Sequence, residues 1–175
     1  MSKRNLLLML CLVFFMGSTV IAQNKYVGAD KCKMCHNSAT KGDQYKKWQA
    51  SKHSQAMASL SSPKSLEYAK ANGIADPSKD AKCTKCHSTA AGAVATTLEA
   101  TITVAEGVSC ESCHGAGSAY KAMNVMKVKA DAVKAGLVIP DEKTCLTCHA
   151  KGAGNPFEKE FNFADYSAKI AHKHP

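Results

Sequence analysis

Residues 110–114 read Cys110-Glu111-Ser112-Cys113-His114, and the same Cys-x-x-Cys-His pattern occurs three more times in the chain. The others are Cys32-Lys33-Met34-Cys35-His36, Cys83-Thr84-Lys85-Cys86-His87 and Cys145-Leu146-Thr147-Cys148-His149. This is the pattern of covalent c-type haem attachment. Two intervening residues set two sulfurs where each can add to one vinyl group of a porphyrin. The histidine that follows is carried over the ring face as the proximal iron ligand. Cys32, Cys35, Cys83, Cys86, Cys110, Cys113, Cys145 and Cys148 are therefore the expected cofactor-binding residues, and His36, His87, His114 and His149 the expected iron ligands. Structural zinc sites and redox disulfides also use Cys-x-x-Cys pairs, but neither needs a histidine after every pair. Histidine makes up only 7 of 175 residues, so four such coincidences favour haem.

The ninth cysteine belongs to another kind of segment. Lys3 and Arg4 precede an apolar run, residues 6–16, and Gly17-Ser18-Thr19-Val20-Ile21-Ala22 then supplies small residues ending in a Val-x-Ala pattern. That is the layout of a cleavable export signal over residues 1–22, with cleavage expected after Ala22. An uncleaved anchor is the competing reading, but residues 6–22 with Gly, Ser and Thr inside make a marginal span. Cleavage discards Cys11 and leaves eight cysteines, all in the four motifs. The remaining residues 23–175 are then one tetrahaem domain in the periplasm, with no stable membrane insertion after cleavage. Exposed zinc thiolates suit such a compartment poorly, because thiols tend to oxidise there.

Cofactors change the meaning of the composition. The formal charge of +9 falls to +7 when Lys3 and Arg4 leave with the signal. Four haems c would add roughly eight propionates, partly offset by ferric iron. The holoprotein then sits near neutrality, which removes the case for nucleic-acid binding. Aromatic residues are only 6% of the chain, so the macrocycles themselves are expected to supply much of the core. The fold class is mainly α: an irregular multihaem c-type cytochrome fold built around four haems.

Between the motifs, residues 40–60 read as an amphipathic helix that puts His53, Ala56, Met57 and Leu60 on one stripe. Ser62-Pro63 opens a further helix that Gly73 can close. Residues 93–105, rich in Thr and Val, read as a small β-hairpin. Residues 118–135 read as a helix ended by Gly136. Pro140-Asp141-Glu142 starts a helical turn into the fourth motif. The tail carries Phe157, Phe161, Phe163, Tyr166 and Ile170, enough apolar surface to dock.

Each iron has a second axial face whose ligand sets its chemistry. Only His53, His172 and His174 are left to supply it. His53 on its buried stripe and His172 near the C-terminus are the expected distal ligands. His174, being penultimate, is more exposed to fraying, although each of the two could serve a different haem. At most three of the four haems can be bis-histidine within this chain. Met57, Met123 and Met126 are sulfur candidates for the remainder, though methionine is more often core filler.

Three segments together resemble the cytochrome c554 family. They are Tyr45-x-x-Trp48-x-x-Ser51-x-His53-Ser54-x-Ala56-Met57, then Gly107-Val108-x-Cys110-Glu111-x-Cys113-His114-Gly115-x-Gly117, and the histidine-bearing C-terminus. The resemblance implies a mostly helical periplasmic protein with close-packed haems and a distal role for His53. Relatives often carry a histidine shortly after the Cys-Glu-x-Cys-His-Gly-x-Gly segment, where this chain has Tyr120. That departure agrees with the histidine count. Small tetrahaem cytochromes of the c3 type match less well, because they need four distal histidines.

Two functions follow from these residues. One is electron transfer between periplasmic or membrane-associated redox proteins, through small transient interfaces. The other is a small haem enzyme acting on a nitrogen- or oxygen-containing molecule at a haem without a distal histidine, with Tyr120 and Lys121 nearby. The only arginine in the chain is Arg4, so a bidentate arginine clamp on an anion is unavailable after cleavage. That weighs toward the carrier.

Overall fold

Short helices dominate the chain, and four of them end on a motif histidine. A computed structural model describes residues 23–172, so the expected signal over 1–22 and His174 lie outside the described residues. The helices are α1 (Ala29–His36), α2 (Gln44–Gln49), α3 (Ala56–Ser59), α4 (Pro63–Ala71), α5 (Ala81–His87), α6 (Thr89–Gly92), α7 (Cys110–His114), α8 (Met123–Met126), α9 (Lys129–Lys134), α10 (Glu142–His149) and α11 (Phe163–Ile170). Among the described residues there is no sheet, only an isolated parallel bridge between Tyr26 and Leu98. The mainly helical, irregular expectation holds.

The expected hairpin at 93–105 does not form. In its place are two 3-10 turns, Ala95–Thr97 and Val104–Glu106. The threonines that suggested a strand bond locally or to the lead-in segment. Thr97 Oγ1 donates to the Val94 carbonyl at 2.6 Å, and Thr101 Oγ1 donates to the Val27 carbonyl at 2.7 Å. Thr103 and Glu106 form a capping box. Threonine offers its hydroxyl to nearby backbone as readily as it joins a ladder, and here the first use wins.

The single helix expected over 40–60 is also broken, into a 3-10 turn at Ala39–Lys41, then α2 and α3. Gly42 and Asp43 adopt positive φ (97° and 50°), which stops the first turn. Serine hydroxyls interrupt the second half: Ser54 Oγ donates to the carbonyls of Gln49 and Ser51, both at 2.9 Å. Leu60, the last member of the expected stripe, is still buried. The helix expected over 118–135 divides at Val128, which is extended (φ −120°, ψ 107°), but its end at Gly136 is as expected. There Leu137 N–H donates to the Ala132 carbonyl at 2.9 Å.

Elsewhere the local signals hold. Ser62 accepts from Ser65 N–H at the start of α4, and Gly73 (φ 68°) follows its end, where Ile74 N–H bonds back to the Ala69 carbonyl at 2.8 Å. Asp141 accepts from Thr144 N–H at 3.0 Å at the start of α10. The tail docks through its aromatics. Phe157 meets the Tyr68 ring at 5.7 Å, and Phe161 stacks on His149 at 5.2 Å.

The polypeptide core is thin. Its buried apolar residues are Val27, Ala29, Tyr45, Leu60, Ala69, Ala90, Ile102, Tyr120 and Ala132, four of them alanine. Among the described residues, the largest fully buried side chain is a carboxylate, Glu111, only 1% exposed. Its oxygens accept from Val27 N–H at 2.9 and 3.0 Å, Gly28 N–H at 2.8 Å and Gly117 N–H at 2.6 Å. Orphaning any one of these buried N–H groups would cost about 1–3 kcal/mol. Polar ties thus do work that apolar packing does in an ordinary domain of this length.

Candidate functional site

The motif spacing acquires its geometry from the helices. Cysteines at i and i+3 and a histidine at i+4 fall on one helical face. In α1, α5, α7 and α10 the histidine is the last helical residue. After it the chain turns away, at Gly115 through a positive φ of 77°. Asp80 starts α5 by accepting Lys82 N–H at 2.8 Å. At α1 the cap is tertiary: Glu111 accepts Gly28 N–H and Glu106 accepts Ala29 N–H at 2.9 Å.

The thiols meet in pairs across motifs. Cys32 lies close to Cys110 and Cys86 close to Cys148, while Cys113 is near Cys145 and Cys148. The order of contact is therefore first, third, fourth and second motif, which differs from chain order. The neighbouring Cys32 thiol, together with burial, pushes the Cys110 thiol up, and burial pushes Cys113 up to about 11.

Imidazoles also meet in pairs. The rings of His53 and His149 are 6.1 Å apart between centroids, at 60° to each other. Those of His114 and His172 are 5.9 Å apart, at 62°. Two imidazoles on opposite sides of one iron, each with a metal–nitrogen distance of about 2 Å, put their ring centres about 6 Å apart. The two sequence-expected distal histidines thus each stand against a different motif histidine. The donor chemistry also fits. Nδ1 of His87 is 2.7 Å from the Ala56 carbonyl, Nδ1 of His114 is 3.1 Å from the Val138 carbonyl, and Nδ1 of His172 is 3.0 Å from the Ile170 carbonyl. A carbonyl can only accept, so Nδ1 carries the proton and Nε2 keeps the lone pair that binds a metal. Partial burial lowers the pKa of His53 and His114 below the ordinary imidazole value, favouring the neutral, ligating form.

Residues 31–115 match the family of cytochrome c554 and c-prime. The resemblance to the cytochrome c554 family is thereby shown, and covalently bound haem c is what that family implies. The chain is also 29% identical over 158 residues to cytochrome c-554 of Nitrosomonas europaea, an alignment covering 81% of this chain and 65% of that relative. The chain therefore spans just under two thirds of the length of the relative it matches. No solved structure matches. The family match takes in the first three motifs and His53, and ends at Gly115. The fourth motif and His172 lie beyond it.

Around the sites are residues whose roles the sequence reading did not assign. Phe161 stacks nearly parallel on His149 (13°), and Tyr166 lies 5.0 Å from Phe161 and 6.2 Å from His149. The turn carrying His53 is tied to the third motif: Val108 N–H donates to the His53 carbonyl at 2.9 Å, and Trp48 Nε1–H donates to the Val108 carbonyl at 2.8 Å. Tyr120 is buried and donates its hydroxyl to the Gly115 carbonyl at 2.8 Å. Met123 is 64% exposed on α8, while Met57 follows Ala56, whose carbonyl holds His87. Glu106 carried no sequence signal, and Glu111 only its place in the segment that resembles the cytochrome c554 family.

Proposed function

We propose that the protein is a periplasmic tetrahaem c-type cytochrome that carries electrons between redox partners. Haem supplies a reversible one-electron ferric–ferrous couple, and the polypeptide sets spacing, axial ligands and solvent access. Cys32 and Cys35, Cys83 and Cys86, Cys110 and Cys113, and Cys145 and Cys148 hold one haem each, with His36, His87, His114 and His149 proximal. His53 is the second ligand at the fourth motif and His172 at the third. The single observation that carries the reading is the pair of imidazole separations, 6.1 and 5.9 Å, each joining a motif histidine to a non-motif one. The contact order of the thiols makes a continuous path from first to third to fourth to second motif.

The export-signal layout of residues 1–22 supports the periplasm, and among the described residues no helix is long and apolar enough to cross a membrane. Partners are periplasmic or membrane-associated redox proteins. Two histidine pairs use His53 and His172, which leaves only His174 in this chain for the haems of the first and second motifs. At least one of those two therefore takes something other than a histidine of this chain. This count favours a second reading, small-molecule chemistry at that haem.

Electronic and EPR spectra of the holoprotein, with its mass, test both readings. The carrier requires four covalent haems and a majority low-spin signal that added carbon monoxide leaves unchanged. A ligand-binding high-spin haem with turnover of a small nitrogen- or oxygen-containing substrate would move the assignment to the second reading. A mass lacking four haems would remove the tetrahaem reading itself.

A further inference from the structure

Glu111 sits between the two attachment cysteines of the third motif, yet its contacts reach into the first. Val27 and Gly28, which it binds, immediately precede α1, the helix that carries Cys32, Cys35 and His36. The third partner, Gly117, lies just past α7. The approach needs both glycines. A Cβ on Gly117 would come within 2.9 Å of Glu111 Oε1 and 3.2 Å of Val27 Cγ2. Gly28 has φ +87°, and a Cβ there would come within 2.8 Å of Glu106 Oε1 and 2.9 Å of the Thr101 carbonyl. At the far side of the same junction Cys32 and Cys110, one on each helix, lie close together. The two attachment helices therefore meet through a carboxylate at one end and through their haem-anchoring sulfurs at the other.

We propose that Glu111 is a positioning residue for the haems of the first and third motifs, clamping α1 onto α7 and holding the potentials of those two haems down. The clamp acts through the backbone N–H groups of Val27, Gly28 and Gly117, to which two positions without a Cβ give the carboxylate access. A buried carboxylate that only accepts hydrogen bonds, beside the attachment cysteines of two haems, would favour their oxidised, more positive state; burial and local charge are among the levers that set haem potentials. The inference rests on the tetrahaem reading above. Fewer than four haems by mass would break that reading, whereas four haems with the outcomes below would break only this one.

The test uses the holoprotein and Glu111→Gln, with Glu67→Gln, an exposed acid on α4, as a control for loss of charge alone. Redox titrations are followed haem by haem through the haem methyl NMR signals, and amide exchange is measured in parallel. Glu111→Gln should speed exchange of the Val27, Gly28 and Gly117 amides by tenfold or more. It should raise the midpoints of the first- and third-motif haems and leave the other two in place. Glu67→Gln should do neither. Unchanged amide exchange, unchanged midpoints, or an equal shift of all four haems overturns the proposal. If Glu111→Gln does not accumulate, Gly117→Ala, which keeps the charge and displaces the carboxylate, carries the same readouts with a smaller midpoint shift and the same overturning results. In the unmodified holoprotein the three amides should already be among the slowest to exchange, and rapid exchange there overturns the clamp without any variant.

Discussion

The imidazole of His53 stands 6.1 Å from that of His149, although one sits in a turn before α3 and the other ends α10. Nothing local brings them together. The turn is held by Val108 and Trp48, while His149 is backed by Phe161. If they share one iron, His53→Ala should convert one haem, that of the fourth motif, from low to high spin. Its EPR signal should move from the low-spin region to near g = 6, a position that marks high-spin ferric haem at about axial symmetry. An unaltered spectrum would refute the pairing.

The C-terminal histidines separate in the same way. His172 lies 5.9 Å from His114 and accepts orientation from the Ile170 carbonyl. His172→Ala should open the third-motif haem to carbon monoxide, with the fourth-motif haem unchanged. Carbon monoxide difference spectra that remain flat for this variant would count against the assignment. His174→Ala is the companion measurement for the first- and second-motif haems.

Gly107 holds the His53 turn at a distance that no side chain permits. Its φ is +72°, and a Cβ would come within 2.7 Å of the His53 carbonyl and 2.8 Å of the Ser54 carbonyl. Gly107→Ala should cost about 1–3 kcal/mol in backbone strain and displace His53, giving a partial version of the His53→Ala spectrum. A lower melting temperature with fully low-spin haem would show that the turn bears no load on ligation.

Tyr45 links α2 to α1 through its hydroxyl, which donates to Asp30 Oδ1 at 3.0 Å. Burial, together with the Asp30 carboxylate, pushes its phenol up from 10 to about 12. Because the folded pKa is the higher one, the stabilisation is complete below pH 10 and is lost as pH rises through about 12. Tyr45→Phe keeps the ring against Trp48 (5.3 Å) and removes the hydroxyl. The difference in unfolding free energy between the two proteins should be flat up to pH 10, at about 0.5–1.5 kcal/mol, and then shrink toward pH 12. Denaturant titrations showing a pH-independent difference across that interval would exclude this origin.

The haem-attachment pattern was legible because its chemistry is local. Two sulfurs and one imidazole within five residues need no tertiary information, and neither do the serine and aspartate caps of α4 and α10. The helix over 40–60 was misread because hydrophobic spacing cannot reveal that Ser51 and Ser54 will spend their hydroxyls on the backbone. The hairpin at 93–105 failed for a similar reason: Thr97 and Thr101 found acceptors at Val94 and Val27 in place of a second strand.

By itself, the sequence determined the cofactor class, the number of motifs and the shortage of histidines, since seven could not fill the eight axial positions that four haems would offer. Tertiary structure alone decided which imidazoles face each other, which motifs lie next to one another, and which backbone groups Glu111 holds. Those are long-range choices between chemically equivalent groups. They are settled by where carboxylates, carbonyls and glycines permit close approach, which no spacing along the chain records.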